Sequence, residues 1–130
     1  MTDDLMVQEQ VSNPWQHMVG VICLNLTNRK QVKAVLPIFF AKWSTAIDFL
    51  KADTQDIKNT IQSLGMVNVR TKRLLQMTED YMNWDHVDAK KLHGIGKYGS
   101  DSYNIFYKNI VPKNVQDKEL LRYLRLQNKI

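Results

Sequence analysis

The stretch LHGIGKYGSD, residues 92–101, decides how the rest of this chain is interpreted. A Gly-Ile-Gly turn between two helical stretches is typical of proteins that bind a nucleic-acid backbone. Gly94 and Gly96 can adopt positive φ angles and let a phosphate approach the main chain. The amides of a helix that begins at Lys97 supply donors at its positive end, and Ile95 is expected to anchor the turn in the core. Glycine pairs also end ordinary helices, so both interpretations stay open at this point.

The composition favours one compact domain, residues 1–130, with a polyanionic partner. The chain has 130 residues with 18 Lys and Arg against 13 Asp and Glu, which suits a single hydrophobic core. The first 13 residues contain Asp3, Asp4 and Glu9 and no basic residue, so the remainder carries a net charge of +8. Such a charge favours nucleic acid, although a merely solvated surface explains it as well.

The scarcity of cysteine excludes several classes of protein. With Cys23 alone there is no intrachain disulfide, Cys-rich zinc site or four-cysteine iron–sulfur cluster, and we expect Cys23 to be a core residue. His17, His86 and His93 lack metal-ligand spacing, so no metal site is predicted. The longest apolar stretch, residues 18–24, is far shorter than the roughly 20 residues of a membrane span. Neither a membrane segment nor a signal peptide is expected.

Apolar residues recur at helical spacing almost throughout, and this predicts an all-α fold. Two stripes are clearest, namely Trp15, Met18, Ile22 and Leu26, and further on Ile57, Ile61 and Leu64. Capping residues and prolines set the predicted boundaries. The first predicted helix starts at Pro14 after the cap Asn13, and the second spans 29–43 with a bend at Pro37. A short helix runs from the cap Ser44 to 50, another from the cap Asp53 to Gly65, and a longer one spans 68–83. A brief helix near Val87 precedes a helix over 97–109, and the last helix is capped by Asp117.

Several motifs follow one another in a particular order. They are Pro-Trp at 14–15, Leu-Asn-x-Thr at 24–27, Leu-Gly at 64–65, LHGIGKYGSDSYNIF at 92–106 and Pro-x-x-x-x-Asp at 112–117. This order resembles the helix–hairpin–helix DNA glycosylases, and within them most closely the glycosylase domain of the methyl-CpG-binding-domain thymine glycosylases. The resemblance spans residues 7–124 and implies their all-α fold, with the hairpin at 92–97 and a C-terminal helix from about 117.

The resemblance implies a monofunctional DNA glycosylase that excises thymine or uracil mispaired with guanine by base flipping. Asp117 falls at the catalytic aspartate of the family, whose carboxylate would stabilise a cationic sugar and position water. Local sequence alone indicates only a helix N-cap for Asp117, and the two roles are compatible. Tyr98 stands where lyase-competent relatives have a lysine that forms a Schiff base. A phenol cannot form one, so water is the expected nucleophile. The resemblance places this tyrosine at the pocket, where it stacks or bonds with the flipped base, and a buried core tyrosine is the alternative.

Further contacts with DNA follow from the same resemblance. Met66 matches an apolar wedge that fills space in the base stack, and Gln8 matches a glutamine that contacts the target base. Lys97 is expected to contact a phosphate. The complete set of expected DNA-binding residues is His93, Gly94, Ile95, Gly96, Lys97, Met66, Thr27, Arg29 and Lys118.

Two positions depart from the family. Leu26 stands where the family inserts an arginine into the gap left by the flipped nucleotide, and Glu119 replaces a basic residue. Arg29 and Lys118 are nearby cations that would compensate. Each lost contact between a charged group and a phosphate would weaken binding by about 1–3 kcal/mol. A noncatalytic module that binds DNA or a protein partner in chromatin is therefore a second hypothesis, and an unrelated helical interaction domain is a third.

The remaining expectations concern cofactors, partners and location. No organic cofactor is predicted, while a monovalent cation held by hairpin carbonyls would fit the family. The expected partner is double-stranded DNA, the expected state is a monomer, and nuclear residence follows from the resemblance alone.

Overall fold

The computed structural model describes residues 11–129, and within this range it contains α-helices, 3₁₀ turns and no strand. The all-α prediction is confirmed. The helices are α1 (Pro14–Leu24), α2 (Arg29–Lys42), α3 (Ala46–Leu50), α4 (Thr54–Ile61), α5 (Val67–Met82), α6 (Lys97–Tyr107) and α7 (Lys118–Leu126). Short 3₁₀ turns lie at Gln62–Leu64 and Ala89–Lys91. None of the helices in the described range is long and apolar enough to cross a membrane.

Asparagine side chains begin the first two helices. Asn13 accepts a hydrogen bond from the Gln16 N–H at 2.9 Å, and Pro14 occupies the first helical position, as predicted. Asn28 caps α2 in the same way, and α2 continues through Pro37 to Lys42. The predicted start of α1 and the predicted boundaries of α2 therefore hold to within one residue.

Predicted boundaries need correction near α3, α4 and Val87, and the helix predicted over 97–109 ends two residues earlier, at Tyr107. Thr45, not Ser44, caps α3, because its Oγ1 accepts the Asp48 N–H at 3.2 Å while the Ser44 carbonyl accepts from Gln16. Helix α4 ends at Ile61, before a 3₁₀ turn that Gly65 terminates with φ 74°. The short helix expected near Val87 lies later, at Ala89–Lys91, where the Asp88 side chain supplies the cap.

The main core forms around α1, which contacts α2, α5 and α6. Trp15 is 1% exposed and packs its ring against Phe39 and Phe49, with centroid separations of 6.4 and 5.7 Å. Its indole N–H donates to Thr78 Oγ1 at 2.9 Å, so the buried polar group is satisfied. Cys23 is fully buried in the same core, as expected.

A second, smaller apolar cluster holds the C-terminal helix. Ile105 of α6 packs against Leu120 and Leu124 of α7, and both leucines are fully buried. The half-buried Tyr98 contacts both this cluster and the main core. The packing of α7 on α6 thus sets where the start of α7 lies relative to the hairpin.

The assignment of Leu26 to a buried stripe is wrong. Helix α1 ends at Leu24, and Leu26 follows in the left-handed region with φ 57° and 79% exposure. The helical period predicts burial only while the helix continues. The turn after Leu24 directs this side chain outward.

Candidate active site

The hairpin joins the 3₁₀ turn Ala89–Lys91 to α6. The Ile95 N–H donates to the Leu92 carbonyl at 3.1 Å, and Ile95 is 5% exposed, so the turn is anchored in the core. Gly94 has φ 82°, a conformation that favours glycine. Gly96 has φ −103°, so the expectation of a positive φ there is wrong.

Gly96 serves a different purpose from Gly94, because it is the N-cap residue of α6. It offers no side-chain hydrogen bond to the first amides of the helix. A Cβ at this position would meet no atom within 4 Å, so the surface above it is open. Exposed amides at the positive end of a helix form a binding place for anions.

A cleft of about 590 Å³ lies between the end of α1, the hairpin and the start of α7. It brings together residues that are far apart in the sequence and that the sequence analysis singled out separately. Its lining consists of Val21, Leu24, Asn25, Leu26, Gly94, Gly96, Lys97, Tyr98, Gly99, Asp117 and Glu119. Both predicted catalytic residues and both departures from the family therefore line one cleft.

Asp117 is the predicted N-cap of α7, and it also lines the cleft. Its Oδ2 accepts the Leu120 N–H at 2.9 Å, which makes it the N-cap of α7. The side chain is half-buried and lines the cleft together with Tyr98. The two residues also share a smaller pocket of about 110 Å³ with Lys97 and Asp101.

Lys97 makes an internal ion pair. Its Nζ lies 2.8 Å from Oδ2 of Asp101, one helical turn later, and the Asp101 side chain is only 11% exposed. The Lys97 side chain remains 41% exposed, so it can still reach a ligand, but its charge is partly compensated. The expectation that Lys97 contacts a phosphate remains a prediction.

Arg29 and Glu119 form an ion pair across the site. Arg29 Nη1 lies 2.8 Å from Glu119 Oε1, and each side chain is about one-third exposed. Oε1 is shielded from solvent and lacks an aligned hydrogen bond, so the contact is electrostatic. Arg122 Nη1 lies 3.8 Å from the same oxygen. Arg29 was expected to compensate for the arginine that Leu26 replaces. It instead pairs with Glu119, the other residue that departs from the family pattern.

Two exposed apolar side chains occupy strained backbone. Leu26 has φ 57°, and Met66, the N-cap residue of α5, has φ 48° and 46% exposure. A left-handed conformation costs a residue other than glycine about 1–3 kcal/mol, and such strain concentrates at functional sites. Their geometry fits side chains presented to a ligand.

Arg70 is a buried residue beside the end of α1 that the sequence did not single out. It is 2% exposed, and its guanidinium donates to carbonyls at the end of α1 and just before α5. Nothing in the local sequence distinguishes it from the neighbouring basic residues Lys72 and Arg73. Only the fold brings several carbonyls around it.

The remaining predicted contacts are spread over the hairpin, the loop after α1 and the start of α7. His93 is exposed, and its N–H donates to Asp80 Oδ2 at 2.9 Å. The outer side of the hairpin forms a second cleft with the basic residues Arg73, Lys90 and Lys91. The half-buried Thr27 donates to Asn25 in its own loop, Lys118 is exposed at the first position of α7, and Gln8 lies outside the described residues.

Known proteins resemble this chain in both sequence and fold. A Methyl-CpG-binding domain protein 4-like protein of Arabidopsis thaliana is 29% identical over 133 aligned positions, which cover 98% of this chain and 29% of that protein. A Thymine/uracil-DNA glycosylase of Pyrobaculum aerophilum is 28% identical over 98 residues, or 70% of this chain and 43% of that protein. The chain thus spans less than half the length of either relative. No family model matches it.

Two solved structures share the fold. A trapped endonuclease III–DNA covalent intermediate matches with a TM-score of 0.75 and 17% identity, over 95% of this chain and 61% of that one. A non-covalent endonuclease III–DNA complex matches with a TM-score of 0.73 and 16% identity, over the whole chain and 72% of that one. The fold and the sequence relatives thus confirm the predicted resemblance to the helix–hairpin–helix DNA glycosylases.

Proposed function

We propose that this chain is a monofunctional DNA glycosylase that removes thymine or uracil paired with guanine. The observation that carries the proposal is the single cleft in which Asp117, Tyr98 and the hairpin backbone meet. The name of the Pyrobaculum relative supports the choice of base. The endonuclease III structures that share the fold contain DNA, which supports a duplex as the ligand.

The reaction requires a base outside the duplex. A base in a wobble pair leaves the stack at lower free-energy cost than a base in a Watson–Crick pair, so a mismatch favours entry of the base into the cleft. The bond between the sugar C1′ and the base nitrogen then breaks, and the base leaves with the bonding electrons. The Asp117 carboxylate stabilises the positive charge that develops on the sugar. Water adds to C1′ and transfers a proton to the Asp117 carboxylate, and Asp117 passes this proton on to the departing base anion.

Tyr98 directs the reaction toward water. Its phenol has no amine with which to attack C1′, so no covalent link to the sugar is expected at this position. The amine of the adjacent Lys97 lies 2.8 Å from Asp101 Oδ2, in an ion pair. The product should therefore be an intact abasic site and a free base.

The hairpin supplies the grip on the backbone. The open amides above Gly96 suit one phosphate, and the basic residues Arg73, Lys90 and Lys91 of the outer cleft suit the neighbouring strand. Nuclear residence, a monomeric state and a monovalent cation at the hairpin carbonyls accompany this proposal.

A panel of labelled duplexes tests the proposed activity. Single-turnover reactions on G:T, G:U, G:C and A:T duplexes, followed by alkali cleavage, should show abasic sites with G:T and G:U alone. Borohydride added to parallel reactions should trap no protein–DNA adduct. A trapped adduct would contradict the monofunctional mechanism. Salt-dependent DNA binding without base release would instead identify a noncatalytic DNA-binding module.

A further inference from the structure

A buried guanidinium connects the two loops that present exposed apolar side chains. Arg70 Nη1 donates to the Asn25 carbonyl at 2.8 Å, and Arg70 Nε donates to the Gly65 carbonyl at 2.9 Å. Nη1 also lies 3.2 Å from the Cys23 carbonyl and 3.3 Å from that of Ile22, at the end of α1. One side chain thus joins the end of α1 to the start of α5.

The two carbonyls closest to the guanidinium each belong to the peptide group that precedes an exposed apolar residue. The Asn25 carbonyl belongs to the peptide group before Leu26, and the Gly65 carbonyl belongs to the peptide group before Met66. Because φ describes rotation relative to the preceding planar peptide, a hydrogen bond to that peptide restrains φ. Arg70 therefore restrains the two peptide planes against which Leu26 and Met66 adopt φ of 57° and 48°.

The side chains that this arrangement presents are apolar and open to solvent. Leu26 is 79% exposed and lines the cleft beside Tyr98 and Asp117, and Met66 is 46% exposed. Apolar side chains held in this way are suited to enter a base stack, because they replace stacking contacts without requiring a hydrogen-bond partner.

We propose that Arg70 is a positioning residue that holds Leu26 and Met66 as a pair of apolar probes, which fill the base stack when a nucleotide leaves it. The inference rests on the proposed function, since it assigns the opening of the duplex to these residues. Arginine suits the task because its planar fork carries five donors and no acceptor. A lysine ammonium at the same place cannot reach both loops in a fixed geometry.

The test separates opening of the duplex from binding and from chemistry. Arg70→Lys and Arg70→Met are made in an Asp117→Asn background, and 2-aminopurine beside a G:T mismatch reports unstacking. Both variants should lose most of the fluorescence gain, because the equilibrium constant for unstacking should fall about tenfold. DNA affinity measured by anisotropy should stay within about threefold with the same salt slope, because the buried Arg70 contacts no phosphate.

A matched control removes the effect of lost stability. Ile57→Ala creates a cavity in α4, whose fully buried Ile57 lines no cleft of the candidate site. This variant should unfold at a lower temperature yet retain the full fluorescence gain when folded. Leu26→Ala and Met66→Ala should each lower the fluorescence gain while leaving the unfolding temperature nearly unchanged.

Three results would overturn the inference. The first is full unstacking by folded Arg70→Lys and Arg70→Met proteins, and the second is full unstacking by the Leu26→Ala, Met66→Ala double variant. The third is failure of a triple variant to fold.

The triple variant is needed if neither Arg70 variant folds. Arg70→Met combined with Leu26→Gly and Met66→Gly should then fold, because glycine accepts positive φ without restraint from Arg70. Failure of that combination would make Arg70 purely structural. Duplex opening without base release by the wild type would contradict the proposed function alone.

Discussion

Arg29 Nη1 lies 2.8 Å from Glu119 Oε1, so an ion pair joins the first residue of α2 to the second residue of α7. Glu119 lines the cleft two residues after Asp117. A DNA phosphate that approaches Arg29 must therefore compete with a carboxylate of the protein itself. This contact gives a physical reason to expect weaker DNA binding than the net charge of +5 alone indicates.

Removing the carboxylate should release Arg29. We expect Glu119→Gln to bind a mismatched duplex about fivefold more tightly, since one charge pair near 4 Å in water contributes about 1 kcal/mol. The slope of log K against log salt should steepen by about 0.9, the value for one additional phosphate contact. Fluorescence anisotropy from low to moderate salt measures both quantities.

An equivalent ion pair elsewhere provides the control. Lys42 Nζ lies 2.7 Å from Asp56 Oδ1, with side chains 41% and 46% exposed, and neither residue lines the candidate site. Asp56→Asn changes the net charge by the same amount as Glu119→Gln. Equal gains in affinity from the two variants would show that only overall charge matters and that Arg29 is no contact.

Gly96→Ser should separate stability from DNA binding. Gly96 has φ −103° and no atom within 4 Å of an added Cβ, so serine fits without strain. Serine is a good N-cap and should stabilise the fold by a few tenths of a kcal/mol. The hydroxyl would engage the amides that a phosphate needs, so affinity for DNA should fall about tenfold. Unchanged affinity would rule out these amides as a phosphate site.

Gly99→Ala should destabilise the fold, whereas Gly96→Ser should stabilise it. A Cβ on Gly99 would lie 2.6 Å from Ile95 Cγ2 and 3.0 Å from Val21 Cγ1, both in the packed contact between the hairpin, α1 and α6. We expect the free energy of unfolding to fall by about 1–3 kcal/mol. Chemical denaturation measures this loss. An unchanged midpoint would show that Ile95 and Val21 do not pack as tightly against Gly99 as these distances indicate.

His17 should make stability depend on pH. Its ring is fully buried in α1, with Nε2 2.6 Å from Ser102 Oγ, and burial lowers its pKa from 6.5 to about 3. The unfolded chain then binds a proton below pH 6.5 that the folded chain does not. Stability should therefore decrease as the pH falls, by about 2 kcal/mol between pH 7 and pH 5.

Replacement of His17 tests this origin. His17→Gln retains an amide that can reach Ser102 and should remove most of the pH dependence between pH 7 and pH 5, as followed by urea unfolding. The exposed His93→Gln is the matched control and should leave the dependence intact. If His17→Gln behaves like His93→Gln, the pH dependence has another source.

Local sequence patterns predicted the helices well because caps act within a few residues. Asn13 and Asp117 each cap a helix where expected, and the stripe of Ile57, Ile61 and Leu64 is buried. The errors occur where local rules compete. Thr45 rather than Ser44 caps α3, and because both adjacent residues carry a hydroxyl suited to an N-cap, the local sequence does not distinguish them.

The candidate site was predictable in its parts but not in its connections. Asp117, Tyr98 and the hairpin were identified separately, and the fold brings them to one cleft. The ion pair of Arg29 with Glu119 joins residues 90 positions apart, and Arg70 donates to carbonyls of α1 and its following turn that are 45 to 48 positions away. Spacing along one helix carries no information about such pairs.

The most direct test of the account is the single-turnover rate of base release from a G:T duplex for the wild type and for Asp117→Asn. Asparagine caps a helix as well as aspartate does, so the variant should retain its unfolding temperature and its affinity for DNA. We expect its rate to fall by a factor of at least about 10². Asp101→Asn, which breaks the ion pair with Lys97, should keep most of the activity. Undiminished base release by Asp117→Asn would contradict the assignment of Asp117 and with it the central claim.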